Sequence, residues 1–317
     1  MIKNLKRILT LVFVLVLLVS LWYKNGTSKK TYESTEFLFD TVCKISARGK
    51  NSKTAVDAAF ESIKKINDLT DFYSQNSEIS KINSAKQGEK IKISKETAEI
   101  LKKVLEISEK SGGAFDPTVA PLSELWNFKS AKVPPKEENI RAALENVDYR
   151  YISLDFDDLT VEKKKNGVKI DLGGAAKGYA CDAAAAVLKN SKVCGIVDLG
   201  GNIACVGKNS KSADGKWSVG LQTPFEPSGT YSKTVKVYEK SVVTSGVYQR
   251  YFEYNKKLYH HILNTETGYP KEVDYNAVTV VSQSSLEADC LSTACFVLGK
   301  EKGEALAKEF GAEVYFY

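Results

Sequence analysis

The tetrapeptide Asp-Leu-Gly-Gly occurs twice in this chain, at residues 171–174 and 198–201, each time behind an apolar segment. The first copy runs Val168-Lys169-Ile170-Asp171-Leu172-Gly173-Gly174 and opens into an alanine-rich stretch, residues 175–188. That order reads as strand, glycine turn, helix, so strands and helices have to share a core. The second copy lies inside the apolar segment 195–206. Glycines after a strand make a plain tight turn, or they let backbone N–H groups approach a phosphate at the positive end of the following helix. Lys177, in the first helical turn, can neutralise a phosphate oxygen or pair with Asp171.

The rest of the body supplies strands and helices in mixed order. Residues 24–36 are polar and read as a tether, and 38–47 as a strand. Val56, Phe60, Ile63, Ile66 and Leu69 recur at helical spacing over 53–69. Ser94 is placed to cap a second helix that buries Ile100, Leu101, Val104 and Leu105 and stops at Gly112-Gly113. A short helix starts near Pro135, and strands alternate over 150–170 with Asn166-Gly167 as a hairpin turn. Residues 217–281 are strand-rich, with a hairpin turning at Asn255-Lys256. Ser284-x-x-Glu287 is a capping-box signature for a helix to Leu298, followed by a helix at 301–310 and a strand at 312–317. No Pro/Ser-rich linker divides these elements. The expectation is one large α+β domain over residues 31–317, preceded by a separate segment, 1–30.

That segment explains the charge. The chain carries 45 Lys and Arg against 39 Asp and Glu, a formal net charge of +6. Lys3, Lys6, Arg7, Lys24, Lys29 and Lys30 account for the whole excess, and residues 1–30 contain no acid. The body is therefore neutral, and the numbers give no reason to expect a nucleic-acid partner. Lys3, Lys6 and Arg7 precede an apolar run, 8–23, broken only by Thr10 and Ser20. It reads as a signal segment without an A-x-A-like cleavage site, closed by the interfacial pair Trp22-Tyr23. An uncleaved membrane anchor with an exported body is expected, with cleavage and secretion as the alternative. The six cysteines show no C-x-x-C pair and no metal spacing, and most sit in apolar stretches, so buried thiols are expected.

Several residues could carry chemistry. Asp289 and Thr293 lie four apart on one helix face. As hard oxygen donors they suit Mg²⁺ rather than Zn²⁺. The bland alternative is an acid on the helix dipole and a hydroxyl bonded to its own backbone. The chain has two histidines, His260 and His261, which as strand neighbours face opposite ways. One can enter a site while the other is structural, and a two-His chelate is disfavoured. Ser111-Gly112-Gly113-Ala114-Phe115-Asp116-Pro117-Thr118 is too elaborate for a helix stop. Tyr73, in Asp71-Phe72-Tyr73-Ser74, can be core or can stack on a planar ring.

The order of the motifs is more telling than any one of them. Ser77-Glu78-Ile79…Ile82-Asn83, Gly113-Ala114-Phe115-Asp116-Pro117-Thr118, Asp171-Leu172-Gly173-Gly174-Ala175-Ala176-Lys177-Gly178-Tyr179 and Asp198-Leu199-Gly200-Gly201-Asn202 come first. Thr244-Ser245-Gly246-x-Tyr248, His260-His261-Ile262-Leu263 with Thr267-Gly268, and Ala288-Asp289-x-Leu291-Ser292-Thr293 follow. The set closely resembles the ApbE family of FAD:protein FMN transferases over about residues 37–317. The resemblance implies Mg²⁺-dependent transfer of FMN from FAD to a Ser or Thr hydroxyl of a flavin-carrying protein, with release of AMP. It places Tyr73 on the isoalloxazine ring, the turn Ala114-Phe115-Asp116 and Ile262 along the flavin, and Asp171 and Lys177 on FAD. It gives the metal to the Gly174 carbonyl, Asp289 and Thr293, and a catalytic role to His261. Two features depart from the family. Its Met-Gly-Thr-like segment reads Phe39-Asp40-Thr41 here, where Phe39 can still pack on a flavin. No cysteine precedes Cys43, so lipid attachment through a signal cysteine is not expected.

That chemistry suits the residues. Cleaving a phosphoanhydride needs charge neutralisation and in-line positioning more than a covalent nucleophile. Mg²⁺, a helix N-terminus and Lys177 would supply the first, and His261 is suited to take the hydroxyl proton. FAD hydrolysis to FMN and AMP is the rival reaction, and a non-catalytic flavin-binding surface protein is the rival without chemistry. Retention of Asp289, Thr293 and His261 together disfavours the latter.

Overall fold

The computed structural model describes residues 31–227 and 229–317, so the apolar run read as an anchor lies outside the described residues. The chain begins with β1 (Thr31–Leu38), β2 (Thr41–Arg48), α1 (Ser52–Thr70), α2 (Glu78–Ser84), β3 (Lys90–Lys92) and α3 (Lys95–Lys110). Two short helices, α4 (Ala120–Trp126) and α5 (Glu137–Leu144), lead into β4 (Ile152–Asp155) and β5 (Thr160–Lys163). The long helix α6 (Ala176–Asn190) is followed by β6 (Cys194–Leu199), β7 (Asn202–Val206), β8 (Trp217–Gln222) and β9 (Tyr231–Val237). Next come β10 (Ser241–Gly246), β11 (Tyr251–Tyr254), β12 (Lys257–His260) and β13 (Ala277–Ser282). The chain closes with α7 (Ser285–Leu298), α8 (Lys300–Glu309) and β14 (Glu313–Phe316).

Seven strands form one sheet in the order β1-β2-β6-β7-β10-β13-β14, every neighbour antiparallel. Helices α1, α6 and α7 lie side by side on one face, against β1–β2, β6–β7 and β10–β13 respectively. The two-stranded sheet β8–β9 covers part of the other face. The strand period decides which side chain meets which cover. Val243 and Val280 join the helix-side core, while their neighbours Val242 and Val281 pack with Val219, Leu221, Val235 and Val237 of the hairpin. The mixed, single α+β domain is as the motifs imply.

Most element boundaries follow local chemistry. The Ser94 hydroxyl accepts from Thr97 N at 3.2 Å and Ser284 from Glu287 N at 3.2 Å, so both caps form. Asn255 and Lys256 both take positive φ, 49° and 63°, and turn the β11–β12 hairpin. Glu287 does not close the capping box. Its carboxylate accepts from the Ser282 hydroxyl at 2.7 Å.

Three readings are corrected. From Thr31 onward the supposed tether is a strand. Its polar, alternating side chains suit a sheet edge, which needs little apolar surface. Residues 168–172 form no strand. Asn83 clamps Ile170, donating from Nδ2 to its carbonyl at 2.9 Å and accepting its N–H at Oδ1 at 2.7 Å, while Asp171 N donates to Pro117 O at 2.8 Å. With the backbone satisfied this way, no ladder is needed. Asn166-Gly167 is no hairpin turn either. β4 and β5 turn between Asp155 and Thr160, and Asn166 Oδ1 instead accepts from Gln87 N at 3.0 Å.

All six cysteines are free thiols, five buried and Cys194 partly exposed. Burial pushes Cys43 up to about 11 and Cys205 and Cys295 to about 12. Thiolate is the reactive form. A thiol reagent should therefore modify one residue of the native protein quickly, the partly exposed Cys194, and the other five only on unfolding. Two or more fast thiols in a native titration would contradict this packing.

Candidate active site

The site is built where α6 crosses α7. No side chain near the start of α6 caps it. Instead the Gly178 N–H donates to Oδ2 of Asp289, on α7, at 2.9 Å. In return Asp182 of α6 caps α7, accepting from Ser285 N at 2.7 Å, Leu286 N at 3.0 Å and the Ser284 hydroxyl at 2.7 Å. The two helices thus exchange carboxylate caps, each placed at the positive end of the other. They meet at Gly178, where a Cβ would lie 2.5 Å from Ser285 O and 2.8 Å from Asp289 Cβ. Only glycine fits that crossing.

Asp289 is held in place at 4% exposure. Lys177 Nζ stands 3.8 Å from its Oδ2 and donates to Gly173 O at 3.1 Å. Lys177 therefore pairs with Asp289, not with Asp171. Thr293, one turn along α7, has its hydroxyl 3.2 Å from Ser245 Oγ. A Cβ on Gly174 would lie 3.7 Å from Thr293 Oγ1, so the Gly174 backbone joins the same corner. The Asp289 carboxylate and the Thr293 hydroxyl, with the Gly174 backbone beside them, would supply a hard, singly charged oxygen set. It fits Mg²⁺, which keeps waters or takes substrate phosphates for its other positions. No three His, Cys, Asp or Glu residues come together as a metal group among the described residues.

The glycine turn is less open than its sequence suggests. Ala175 N and Ala176 N both donate to Leu172 O, at 2.9 and 2.8 Å. With Gly178 N given to Asp289, three of the amides around the helix start are already used. An anion here would meet Lys177 more than a bare amide cradle.

This corner is one wall of a cavity of about 690 Å³, in the range of small-molecule sites. All the expected residues line it: Phe39, Tyr73, Ala114, Phe115, Asp116, Asp171, Gly174, Lys177, His261, Ile262, Asp289 and Thr293. Tyr73 is 75% exposed at the mouth, with Phe72 edge-on at 5.3 Å. Phe39 and Asp40 turn the β1–β2 hairpin with φ of 52° and 59°, and Asn67 Oδ1 holds the Phe39 N–H at 2.9 Å. Asp116 faces the backbone. It accepts from Thr118 N at 2.7 Å, Thr118 Oγ1 at 2.6 Å and Tyr149 N at 2.8 Å. It shapes the turn that presents Ala114 and Phe115, and burial pushes its carboxyl up to about 6 against those three bonds. Asp171 accepts from Gly173 N at 2.8 Å, and burial pushes its carboxyl up too.

The two histidines divide, but not by strand alternation: β12 ends at His260, and His261 lies just beyond it in a bend. His260 is buried, with Nε2 2.9 Å from Lys271 O, Nδ1 accepting from Ile262 N at 3.3 Å, and Phe296 edge-on at 5.7 Å. Both its nitrogens are used. His261 lines the cavity, and its Nδ1 lies 3.3 Å from Arg250 O. A carbonyl can only accept, so Nδ1 carries the proton and Nε2 keeps a free lone pair. Burial, with the nearby charges of Arg250, His260 and Lys177, pushes His261 down to about 3, although solvent reaches part of the ring through the cavity.

Sequence reasoning missed the rim. Asp40 holds Lys129 at 2.6 Å and Arg250 at 3.5 Å, and Lys129 lies 4.9 Å over the Tyr73 ring. Asn202, 3% exposed, lines the cavity with no hydrogen-bond partner for Nδ2 among the described residues. Asn202 sat in a quoted motif and carried that much signal. A lone lysine among 45 cations carried none.

A family model described as the ApbE family matches residues 39–316. A FAD:protein FMN transferase of Treponema pallidum (strain Nichols) is 31% identical, over 90% of this chain and 84% of that protein. One from Klebsiella pneumoniae (strain 342) is 32% identical, over 79% and 77%. Among solved structures, the ApbE protein of Thermotoga maritima superposes with a TM-score of 0.82 at 33% identity, covering 90% of this chain and 94% of that one. The flavin transferase ApbE of Vibrio cholerae gives 0.78 at 25% identity, over 91% and 93%.

Proposed function

The chain belongs to the ApbE family and is a FAD:protein FMN transferase; within that activity, we propose Mg²⁺-dependent transfer to a Ser or Thr hydroxyl, with AMP leaving. The observation that carries this reading is one cavity holding a hard oxygen corner, a cation beside it and a histidine with a free Nε2. Asp289, Thr293 and the Gly174 carbonyl would hold the ion, which supplies charge neutralisation at the phosphoanhydride. Lys177 adds the second positive charge. Phe39, Tyr73, Ala114, Phe115 and Ile262 form the apolar surface suited to an isoalloxazine ring. Asp171 faces the same space, with a carboxyl raised by burial and so readied to share a hydrogen bond.

The acceptor hydroxyl attacks the phosphorus of the FMN half. The bond from that phosphorus to the oxygen bridging to AMP breaks, and the hydroxyl proton passes to His261 Nε2. The Arg250 carbonyl fixes the tautomer that leaves Nε2 as the acceptor. Because His261 is held well below its ordinary value, it takes the proton only as negative charge builds on the phosphate beside it. The apolar run 8–23 anchors the body to a membrane, and the body and its acceptor are exported.

The direct test incubates the protein with FAD, Mg²⁺ and an acceptor domain and looks for covalently attached flavin fluorescence. An acceptor that a known transferase labels and this protein does not would overturn the reading. AMP released equally fast without acceptor would make the protein a hydrolase.

A second expectation concerns His261. His261→Gln should lower kcat by on the order of 10²- to 10⁴-fold while FAD binding, read by flavin fluorescence, holds. Because His261 is depressed, it should stay neutral from pH 7 down through pH 5. The sign for stability follows. A depressed histidine favours the fold fully above its ordinary 6.5, and that contribution is lost as pH falls toward the folded value. Loss of His261 NMR neutrality near pH 6.5 would contradict this.

A further inference from the structure

The strands of the large sheet have two chemically different ends. At one lies the cavity, bordered by Phe39, Thr41, Gly200 and Asn202 at the β1–β2 and β6–β7 turns. At the other lies a second concavity, about 330 Å³, lined by Arg48, Lys189, Lys192 and Lys208 with one acid, Glu239. Lys189 takes that acid, at 3.5 Å. Lys192 and Lys208 are exposed and have no ion-pair partner among the described residues. In a body with balanced charges, Lys192 and Lys208 leave this end with two cations that no described acid pairs.

The chain enters the fold at this same end. Thr31, the first residue of β1, pairs with Arg48. Seven residues, 24–30, separate it from the apolar run and include Lys24, Lys29 and Lys30. Fully extended, they span at most about 25 Å. Whatever surface surrounds Thr31 must therefore stay near the surface in which that run is buried.

We propose that the basic end, Arg48, Lys189, Lys192 and Lys208, docks on anionic lipid headgroups and stands the domain upright on the membrane. The active cavity then opens at the far ends of the strands. The eight residues of β2 put it roughly 25 Å further from the bilayer. An acceptor would be flavinylated at that height and not at the lipid surface. The inference rests on the anchor reading for residues 8–23, and adds to it an orientation and a lipid chemistry. Each cation near an anionic bilayer strengthens its contact roughly fivefold.

The test uses the full chain with vesicles of phosphatidylcholine alone, or of an equal mixture with phosphatidylglycerol. Hydrogen exchange is followed at residues 189–193 and 207–211, with 127–131 at the cavity rim as the control. The expected result is at least about fivefold slower exchange at the two basic segments, on the mixed vesicles only. It should vanish at high salt and in Lys192→Glu/Lys208→Glu, with transfer to a soluble acceptor unchanged. Equal exchange on both vesicle types, or protection at the rim instead, would overturn the proposal. Equal protection by inorganic phosphate alone would also overturn it, making the site a free-anion pocket. Failure of the anchor reading shows separately, as full chain left in the supernatant of the zwitterionic vesicles. Binding to the mixed vesicles that still depends on Lys192 and Lys208 would then support the basic end on its own.

Discussion

Replacing Asp289 by alanine should reduce FMN transfer by at least about 10²-fold, even at saturating Mg²⁺. The side chain supplies the one carboxylate of the proposed oxygen corner, caps the start of α6 and faces Lys177. Losing the cap alone should cost about 1 kcal/mol of stability. Asp289→Asn separates the roles, because its amide oxygen can still accept from Gly178 N while the charge is gone. The expected pattern is a melting temperature near the parent's with activity as low as the alanine variant's. Full transfer by the asparagine variant at limiting Mg²⁺ would remove Asp289 from the ligand set.

Gly178→Ala should be nearly as damaging without touching a reacting group. Its Cβ would enter the α6–α7 crossing 2.5 Å from a backbone oxygen and 2.7 Å from Leu286 Cα. Neither atom can move aside as a flexible side chain would. The helices must separate, at a cost of about 1–3 kcal/mol. Separation also pulls Asp289 off Gly178 N. Transfer should therefore fall by more than FAD affinity does, since the proposed flavin wall at Tyr73 and Phe115 lies outside α6 and α7. Calorimetry and single-turnover transfer on one preparation check both halves. A variant as stable and as active as the parent would show that the crossing is looser than its distances say.

These residues also mark how far the sequence could be read. Helical periodicity located α1 and, with the Ser94 cap, α3, and the capping signature at Ser284 located α7, because a stripe or a cap is written within a few residues. Turn chemistry located the Asn255-Lys256 hairpin. The same local logic failed at 168–172, where apolar residues looked like a strand but their hydrogen bonds go to Asn83, 87 positions away from Ile170. It failed at Thr31–Leu38 because an edge strand can be as polar as a linker. For the site, the ordered motifs named ten of the residues that line the cavity, while Phe39 and Tyr73 came from the resemblance outside those motifs. The rim formed by Asp40, Lys129 and Arg250 stayed invisible, since it joins three segments that share no spacing.

By itself the sequence determined the kinds of elements, their caps, the neutral body, the family and the side chains bound for the cavity. All of these are local patterns, or patterns in the order of the motifs. Only the tertiary structure decided that Lys177 pairs with Asp289 and not Asp171, that His261 and not His260 keeps a free nitrogen, and that α6 and α7 cap one another. The physical reason is distance along the chain. The bond from Gly178 to Asp289 spans 111 residues, and no periodicity records a contact made only when two helices cross at a glycine.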